Sequence, residues 1–128
     1  MNYYFTKTVN YDFDKAIARV TEELKNEGFG VLTEIDVKET LKKKLNVDFA
    51  KYRILGACNP VFAYEALQAE DKIGTMLPCN VIVQEHDNGR VEVSAIDPVA
   101  SMMAIENGKL ARVALQVREK LNRVIEKL

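Results

Sequence analysis

Alternating hydrophobic and polar residues predict a β-strand at the start of the chain. Over residues 3–9, Phe5 and Val9 fall on one side of an extended segment and Thr6 and Thr8 fall on the other. Four further short runs also have strand character, being rich in apolar and β-branched residues. They cover residues 31–35, 52–57, 79–85 and 91–96.

Between these strands, apolar residues recur at helical spacing. Phe13, Ala16 and Val20 lie on one face of a helix that begins near Asp12, and the last helix runs from about Lys109 to the end of the chain. Three more helices are indicated by capping residues at their starts: Asp36 with Glu39, Asn59 with Pro60, and Asp97 with Pro98. Strands and helices are therefore mixed along the chain.

The turn between the last two strands decides which of their residues face each other. Asp87-Asn88-Gly89 allows either a two-residue loop or a three-residue loop with its glycine in the left-handed conformation. The three-residue loop pairs His86 with Arg90 and places the valines of both strands on one face, whereas the alternative buries polar groups beside valines. We therefore predict the three-residue loop, which places Cys79 opposite Asp97.

The composition is that of a small globular domain. The chain has 128 residues, of which 48% are hydrophobic and 29% charged, with 6 glycines and 3 prolines. These values exclude disordered and low-complexity proteins, and the length predicts one domain over residues 1–128. The formal net charge of −1 does not predict binding to nucleic acid through its phosphates.

The chain shows neither the pattern of a signal peptide nor that of a membrane span. Its apolar runs are only a few residues long, whereas a transmembrane helix needs about 20 apolar residues. These features predict a cytoplasmic protein that does not bind membranes. The two cysteines, Cys58 and Cys79, do not make a disulfide framework, and two packed free thiols are one interpretation of them.

Several short motifs taken together resemble a known family. They are Thr33-Glu34-Ile35-Asp36-Val37, Lys44-Leu45, Asp48-Phe49, Tyr52-Arg53-Ile54-Leu55-Gly56-Ala57-Cys58-Asn59-Pro60, Leu77-Pro78-Cys79-Asn80-Val81 and Ala95-Ile96-Asp97-Pro98. Over nearly the whole chain, this set resembles the domain-of-unknown-function 302 family of bacteria and archaea. The resemblance implies a small α+β domain similar in layout to one half of a TATA-binding protein, with an antiparallel sheet packed by helices in the order strand, helix, four strands, helix. It also implies a homodimer, and it implies no reaction because the family has no established activity.

Both cysteines lie where the chain offers candidate chemistry. Cys58 directly precedes a predicted helix, whose N-terminal dipole is expected to lower the pKa of its thiol, although Asn59 is expected to cap the same helix. Cys79 is separated from Cys58 by 20 residues, and the sequence leaves open whether the two converge. Convergence would allow a redox pair or half of a thiolate metal site.

A metal site or a hydrolase site within one chain is not favoured. His86 and Cys79 are expected on opposite faces of one strand, so a Cys-Cys-His zinc site is not predicted. A four-thiolate site across a dimer axis stays as an alternative. The sequence contains no phosphate loop, no dinucleotide fingerprint and no glycine-flanked nucleophile. We therefore predict no metal and no catalytic residue, and the sequence identifies no cofactor.

These observations favour a non-catalytic small-ligand-binding module, expected to be a cytoplasmic homodimer that binds neither nucleic acid nor membrane. Two alternatives stay open: a thiol-based redox or metal-handling protein that uses both cysteines, and a structural dimerisation domain. The predicted ligand-binding residues, which lie in the Cys58-Asn59-Pro60 and Leu77-Pro78-Cys79-Asn80 segments and at one further corner, are Cys58, Asn59, Pro60, Cys79, Asn80 and Asp97. Candidate apolar wall residues are Tyr64 and Met76, with Met102 and Met103 as adaptable packing.

Overall fold

The chain folds into alternating strands and helices. The computed structural model describes residues 2–128. Its strands are β1 (Tyr4–Val9), β2 (Gly30–Asp36), β3 (Tyr52–Cys58), β4 (Cys79–Glu85) and β5 (Val91–Ile96). Its helices are α1 (Phe13–Asn26), α2 (Val37–Leu45), α3 (Pro60–Ala69), α4 (Pro98–Ser101) and α5 (Gly108–Glu126), with a 3₁₀ turn at Ile73–Met76. Every predicted strand and helix is present, and the predicted ends differ from these by at most one or two residues.

The five strands form one antiparallel sheet in the order β1-β5-β4-β3-β2. The first strand therefore pairs with the last, from Tyr4 opposite Ile96 to Val9 opposite Val91. Helices α1 and α5 pack on one face of this sheet. The arrangement confirms the predicted α+β fold, in which helices pack against an antiparallel sheet.

The β4–β5 hairpin has the predicted three-residue loop. The His86 amide donates to the Arg90 carbonyl oxygen at 2.8 Å, and Gly89 has a φ of 79°, a conformation that glycine adopts without steric cost. Continued along the strands, the observed register places Cys79 opposite Asp97. The valines of both strands are buried. A slip of one residue would expose them, which is why this register is preferred.

The helix-covered face of the sheet holds the main core. Val83 and Val93 of the sheet and Leu24 and Leu121 of the helices are fully buried there. A second, smaller core lies around Ile73, where the 3₁₀ turn packs with α3, α4 and α5. Burial of each large apolar side chain contributes about 1.5–3 kcal/mol, so the two cores hold α5 against the sheet and α3 against α5.

The start of α2 shows how a polar side chain defines a helix boundary. The Glu39 amide donates to Asp36 Oδ1 at 3.0 Å, as expected for an N-cap. The Glu39 carboxylate pairs with Lys43 at 2.7 Å, one turn further along the helix. Asp36 is thus both the last residue of β2 and the N-cap of α2.

The helices are amphipathic rather than apolar on all sides. The longest, α5, has 19 residues and buries one face while arginine and lysine side chains cover the others. Among residues 2–128, no helix combines the length and the apolar character needed to cross a membrane.

Candidate functional site

Cys58 and Cys79 come together at one end of the sheet. β3 ends at Cys58 and β4 begins at Cys79, and Ala57 lies directly opposite Cys79 in the β3–β4 ladder. Both cysteines line one cavity, and both are free thiols. The sequence left open whether the two cysteines converge, and the pairing of two antiparallel strands brings them to the same cavity.

The cavity beside the two thiols is small and apolar. Its volume is about 30 Å³, enough for one or two water molecules, whereas pockets for small organic ligands span about 300–1,000 Å³. Its apolar lining includes Phe29, Phe62, Leu77, Met102, Leu110 and Val117. Within residues 2–128 the wall includes neither Tyr64 nor Met76, because both side chains are turned toward solvent. The cavity has no room for an organic ligand.

Asn59 occupies the N-cap position of α3 but does not cap the helix with its side chain. Its Nδ2 instead donates to the Glu27 carbonyl oxygen at 3.3 Å, at the turn that joins α1 to β2. Gly28 lies so close that a Cβ there would be 3.1 Å from Asn59 Nδ2. This long-range contact redirects the amide, so the prediction of a side-chain cap is wrong. Pro60 takes the first position of α3, as predicted, and is exposed.

Burial raises the pKa of both thiols. The pKa of Cys58 lies above its ordinary value because burial disfavours the thiolate. Burial also raises the pKa of Cys79, to about 11, and the charge of a neighbouring Cys58 thiolate adds to the effect. The prediction that the helix dipole lowers the pKa of Cys58 is therefore wrong. Neither thiol is an activated nucleophile at neutral pH.

Slow alkylation is the expected consequence. Near pH 8, iodoacetamide should modify Cys58 and Cys79 more slowly than free cysteine, because less thiolate is present. The rate at Cys79 should keep rising up to about pH 11. Mass spectrometry of peptides after short labelling pulses at increasing pH measures both rates, with urea-unfolded protein as the control. A rate at Cys79 that levels off near pH 8 would contradict the raised pKa.

The carboxylate of Asp97 is engaged in holding the fold. Its Oδ1 accepts hydrogen bonds from the amides of Val99 at 3.0 Å and Ala100 at 3.5 Å, at the start of α4. Its Oδ2 accepts from Arg118 Nε at 3.0 Å. Both oxygens of this buried group have partners within the protein, as expected for a helix cap that also ties α4 to α5.

Asn80 lies on the other face of the sheet from Cys79, because successive residues of a strand point in opposite directions. It lines a trough on the face opposite α1 and α5. The volume of this trough is about 380 Å³, within the range of small-molecule sites. We call it the tyrosine trough; its other main lining residues are Tyr3, Tyr4, Tyr52, Ile82, Gln84, Glu92, Ser94 and Ile96.

The six predicted site residues therefore do not form one site. Cys58, Asn59 and Cys79 line the small cavity, and Asn80 lines the tyrosine trough. Pro60 and Asp97 line neither of these two spaces.

Three tyrosines border the trough. The rings of Tyr3 and Tyr4 are 5.0 Å apart and nearly perpendicular, at 72°. Tyr52 lines the same trough, and burial first and then the charge of Tyr3 raise the pKa of its hydroxyl. Tyr3, in the segment before β1, and Tyr52, at the start of β3, thus border one trough from distant parts of the chain.

The floor of the trough is polar near the hairpin. Glu92 Oε1 accepts a hydrogen bond from Gln84 Nε2 at 3.2 Å and lies 3.0 Å from His86 Nε2. Burial alone would raise the pKa of Glu92, but hydrogen bonds with His86 and Thr6 and the charge of Arg90 bring it below its ordinary value. The carboxylate is therefore ionised at neutral pH and already has partners.

Reasoning from the sequence missed this trough. The sequence pattern places Tyr3 and Tyr52 in strands and assigns no site to Gln84 or Glu92. The signal that could have found part of it is the predicted hairpin register, which already places Gln84 opposite Glu92. The strand order, which the residues alone do not reveal, adds Tyr52 on one side and Tyr4 on the other.

Comparison with known proteins agrees with the fold. Residues 5–128 match the family described as domain of unknown function DUF302. The chain belongs to the DUF302 family. A crystal structure of an uncharacterized conserved DUF302 protein from Bacillus stearothermophilus is similar to this DUF302 chain with a TM-score of 0.92 and 28% sequence identity, over 99% of this chain and 98% of that chain. A search of curated proteins finds no match.

The titratable side chains of this DUF302 chain do not form a conventional zinc site. Such a site uses three or four His, Cys, Asp or Glu ligands. In the part of the chain that the structure describes, no three of these side chains cluster closely enough to hold an ion.

Proposed function

We propose that this DUF302 chain is a cytoplasmic, non-catalytic module that binds a small organic molecule in the tyrosine trough. The observation that supports this proposal is the shape of the trough, about 380 Å³ of space bordered by three tyrosines. The cavity at the two cysteines offers only about 30 Å³. Small molecules bind in concave sites of several hundred Å³ that have apolar walls and a few polar groups.

The lining favours a flat, polar, uncharged molecule. Tyrosine rings offer faces and edges against which a planar ligand packs. The side-chain amides of Asn80 and Gln84 provide both donors and acceptors for its polar edge. The carboxylate of Glu92 is already engaged with His86 and Arg90, so the site has no need of a charged ligand.

Titration of the ¹⁵N-labelled protein with neutral planar heterocycles tests the proposal. The probes are the free nucleobases, nicotinamide and indole, and the amides of Asn80, Gln84 and Ser94 are expected to shift. Tyr52→Ala should weaken binding at least about fivefold, because stacking on an aromatic side chain contributes about 1–3 kcal/mol. Leu115→Ala is the control, because Leu115 is 48% exposed on α5 and lies outside both the trough and the exposed stripe of α3.

Two results of this titration would contradict the proposal. One is binding that Tyr52→Ala and Leu115→Ala weaken equally, and the other is a set of shifts centred on Cys58 and Cys79. Cys58→Ser separates the two sites, since it should leave the affinity for the heterocycle unchanged.

The proposal includes self-association into a homodimer. α3 exposes Val61, Tyr64 and Leu67, which are 64%, 64% and 45% exposed and follow one another at helical spacing. The stripe is uncharged, so a second copy related by a two-fold axis can cover it without burying a charge. Light scattering on the same samples is expected to give twice the 14.5 kDa of one chain. A monomer would contradict the dimer and leave the ligand site unaffected.

A further inference from the structure

Three sulfur-containing side chains line the small cavity: Cys58, Cys79 and Met102. They come from the end of β3, the start of β4 and the residue that ends α4. Met102 is 8% exposed, whereas its neighbour Met103 is 63% exposed. The fold thus gathers three sulfurs from distant parts of the chain around one apolar space.

We propose that this cavity binds one soft monovalent metal ion, Cu⁺ or its analogue Ag⁺. The thiolates of Cys58 and Cys79 are its two charged ligands, and the thioether of Met102 is the third. This site is separate from the tyrosine trough, on the other face of the sheet, and does not depend on what the trough binds.

The ligand chemistry selects a soft ion. Thiolate and thioether sulfur favour Cu⁺ and related soft ions, whereas carboxylate and carbonyl oxygen favour Mg²⁺ and Ca²⁺. Structural zinc sites need four ligands from cysteine, histidine and carboxylates. Over residues 2–128, no third such side chain accompanies the two cysteines, so the arrangement suits an ion that accepts two or three sulfurs.

The size of the cavity points to the same class of ion. About 30 Å³ with apolar walls admits an ion that has lost its water and excludes hydrated Mg²⁺, which keeps several of its water molecules in protein sites. Cys58 is partly exposed whereas Cys79 is more deeply buried. Cys58 therefore lies at the entrance, where it can receive the ion before Cys79 completes the site.

The metal complex would carry one negative charge, which the surrounding fold can stabilise. Two thiols and one monovalent cation give a bis-thiolate complex of charge −1 and release two protons to solvent. The complex lies beside the N-terminus of α3, and because Asn59 donates to Glu27 instead of capping, no side chain occupies the first amides of that helix. The positive end of the helix dipole faces the complex and stabilises its negative charge.

Competition for Cu⁺ under anaerobic, reducing conditions tests the proposal. The reduced full chain is titrated into the coloured Cu⁺ complex of bathocuproine disulfonate, and loss of colour reports transfer of one ion per chain. Cys58→Ala and Cys79→Ala should each lower the affinity by more than about 100-fold, because even changes outside the ligands cost about 10–100-fold. Met102→Leu, which conserves volume, should lower it about tenfold, and Met103→Leu should leave it unchanged.

The pH dependence provides a readout that a purely structural role would not affect. Because two protons compete with the ion, the affinity should fall by about 100-fold for each unit of pH below neutrality. Circular dichroism confirms that each variant is folded, and Cys58→Ala is the safer variant because its side chain is less buried.

Three results would overturn the proposal: equal Cu⁺ affinity in Cys58→Ala and Met103→Leu, an affinity independent of pH, or no transfer of Cu⁺ to the wild-type chain. Equal affinity in Met102→Leu and Met103→Leu would overturn the three-sulfur site. Since Tyr52→Ala should bind Cu⁺ as the wild type does, failure of this site and failure of the trough are distinguishable.

Discussion

Replacing Gly56 with alanine is expected to destabilise the chain by about 3 kcal/mol. A Cβ at this position would overlap Thr33 Oγ1 and would lie 2.8 Å from Pro78 Cγ. Gly56 is paired with Thr33 on one side and Asn80 on the other, so its backbone cannot move aside without disturbing both ladders. Urea unfolding followed by circular dichroism measures the change in the free energy of unfolding.

Two further variants distinguish the steric clash of a Cβ at position 56 from the general effect of replacing a glycine with alanine. Gly74→Ala places a Cβ with no atom within 4 Å, and it is expected to be neutral or to stabilise by up to about 1 kcal/mol. Thr33→Ala combined with Gly56→Ala removes one obstacle and should recover part of the loss, because the rigid ring of Pro78 stays in place. A Gly56→Ala protein as stable as the wild type would contradict this close packing.

The Gly56 contact also connects the sheet to the cysteine cavity. Pro78 precedes Cys79, so a shift of the proline ring changes how Cys79 is covered. Alkylation of Cys79 should therefore be faster in Gly56→Ala than in the wild type at the same pH, and Gly74→Ala should show no such change.

Truncation of Leu121 to alanine is expected to cost about 3 kcal/mol or more. Leu121 is fully buried where α5 packs on the helix-covered face of the sheet. Its removal leaves a cavity that the surrounding valines and Leu24 cannot fill without moving, so the loss includes both the transfer term and the cavity term. The same urea experiment measures it.

Leu115→Ala is the control within the same helix. Leu115 is 48% exposed, so its truncation should change the free energy of unfolding by no more than about 0.5–1 kcal/mol. Because both substitutions replace leucine with alanine in α5, differences in helix propensity cancel. Similar losses at the two positions would contradict the observed packing of α5 on the sheet.

Predictions from the sequence succeeded where the determining interactions are between residues close along the chain, or where buried and exposed side chains alternate along a strand. Helix α1 follows from its apolar face after Asp12, whose side chain accepts from the Lys15 amide at 2.7 Å. The β4–β5 register follows from the turn residues together with the need to bury the valines. The family resemblance, carried by short motifs, is confirmed over residues 5–128.

Predictions failed where a distant residue changes what a local motif does. Asn59 before Pro60 is a good N-cap in isolation, but its side-chain amide instead donates a hydrogen bond to the Glu27 carbonyl oxygen. Cys58 beside a helix start suggests a lowered pKa, but burial disfavours its thiolate and raises the pKa. Both results depend on how β3 and α3 pack, which neighbouring residues do not specify.

The sequence by itself determined the strands and helices, the hairpin register and the family, because each depends on periodicity, caps, turn residues or motifs within short segments. Only the tertiary structure decided which side chains share a site. The strand order β1-β5-β4-β3-β2 brings Tyr3 and Tyr52 to the border of one trough, although they are far apart along the chain. Strand alternation then places Asn80 in the trough and Cys79 on the helix-covered face, because adjacent residues of a strand face opposite sides of the sheet. Cys58, where β3 ends, lines the same small cavity as Cys79.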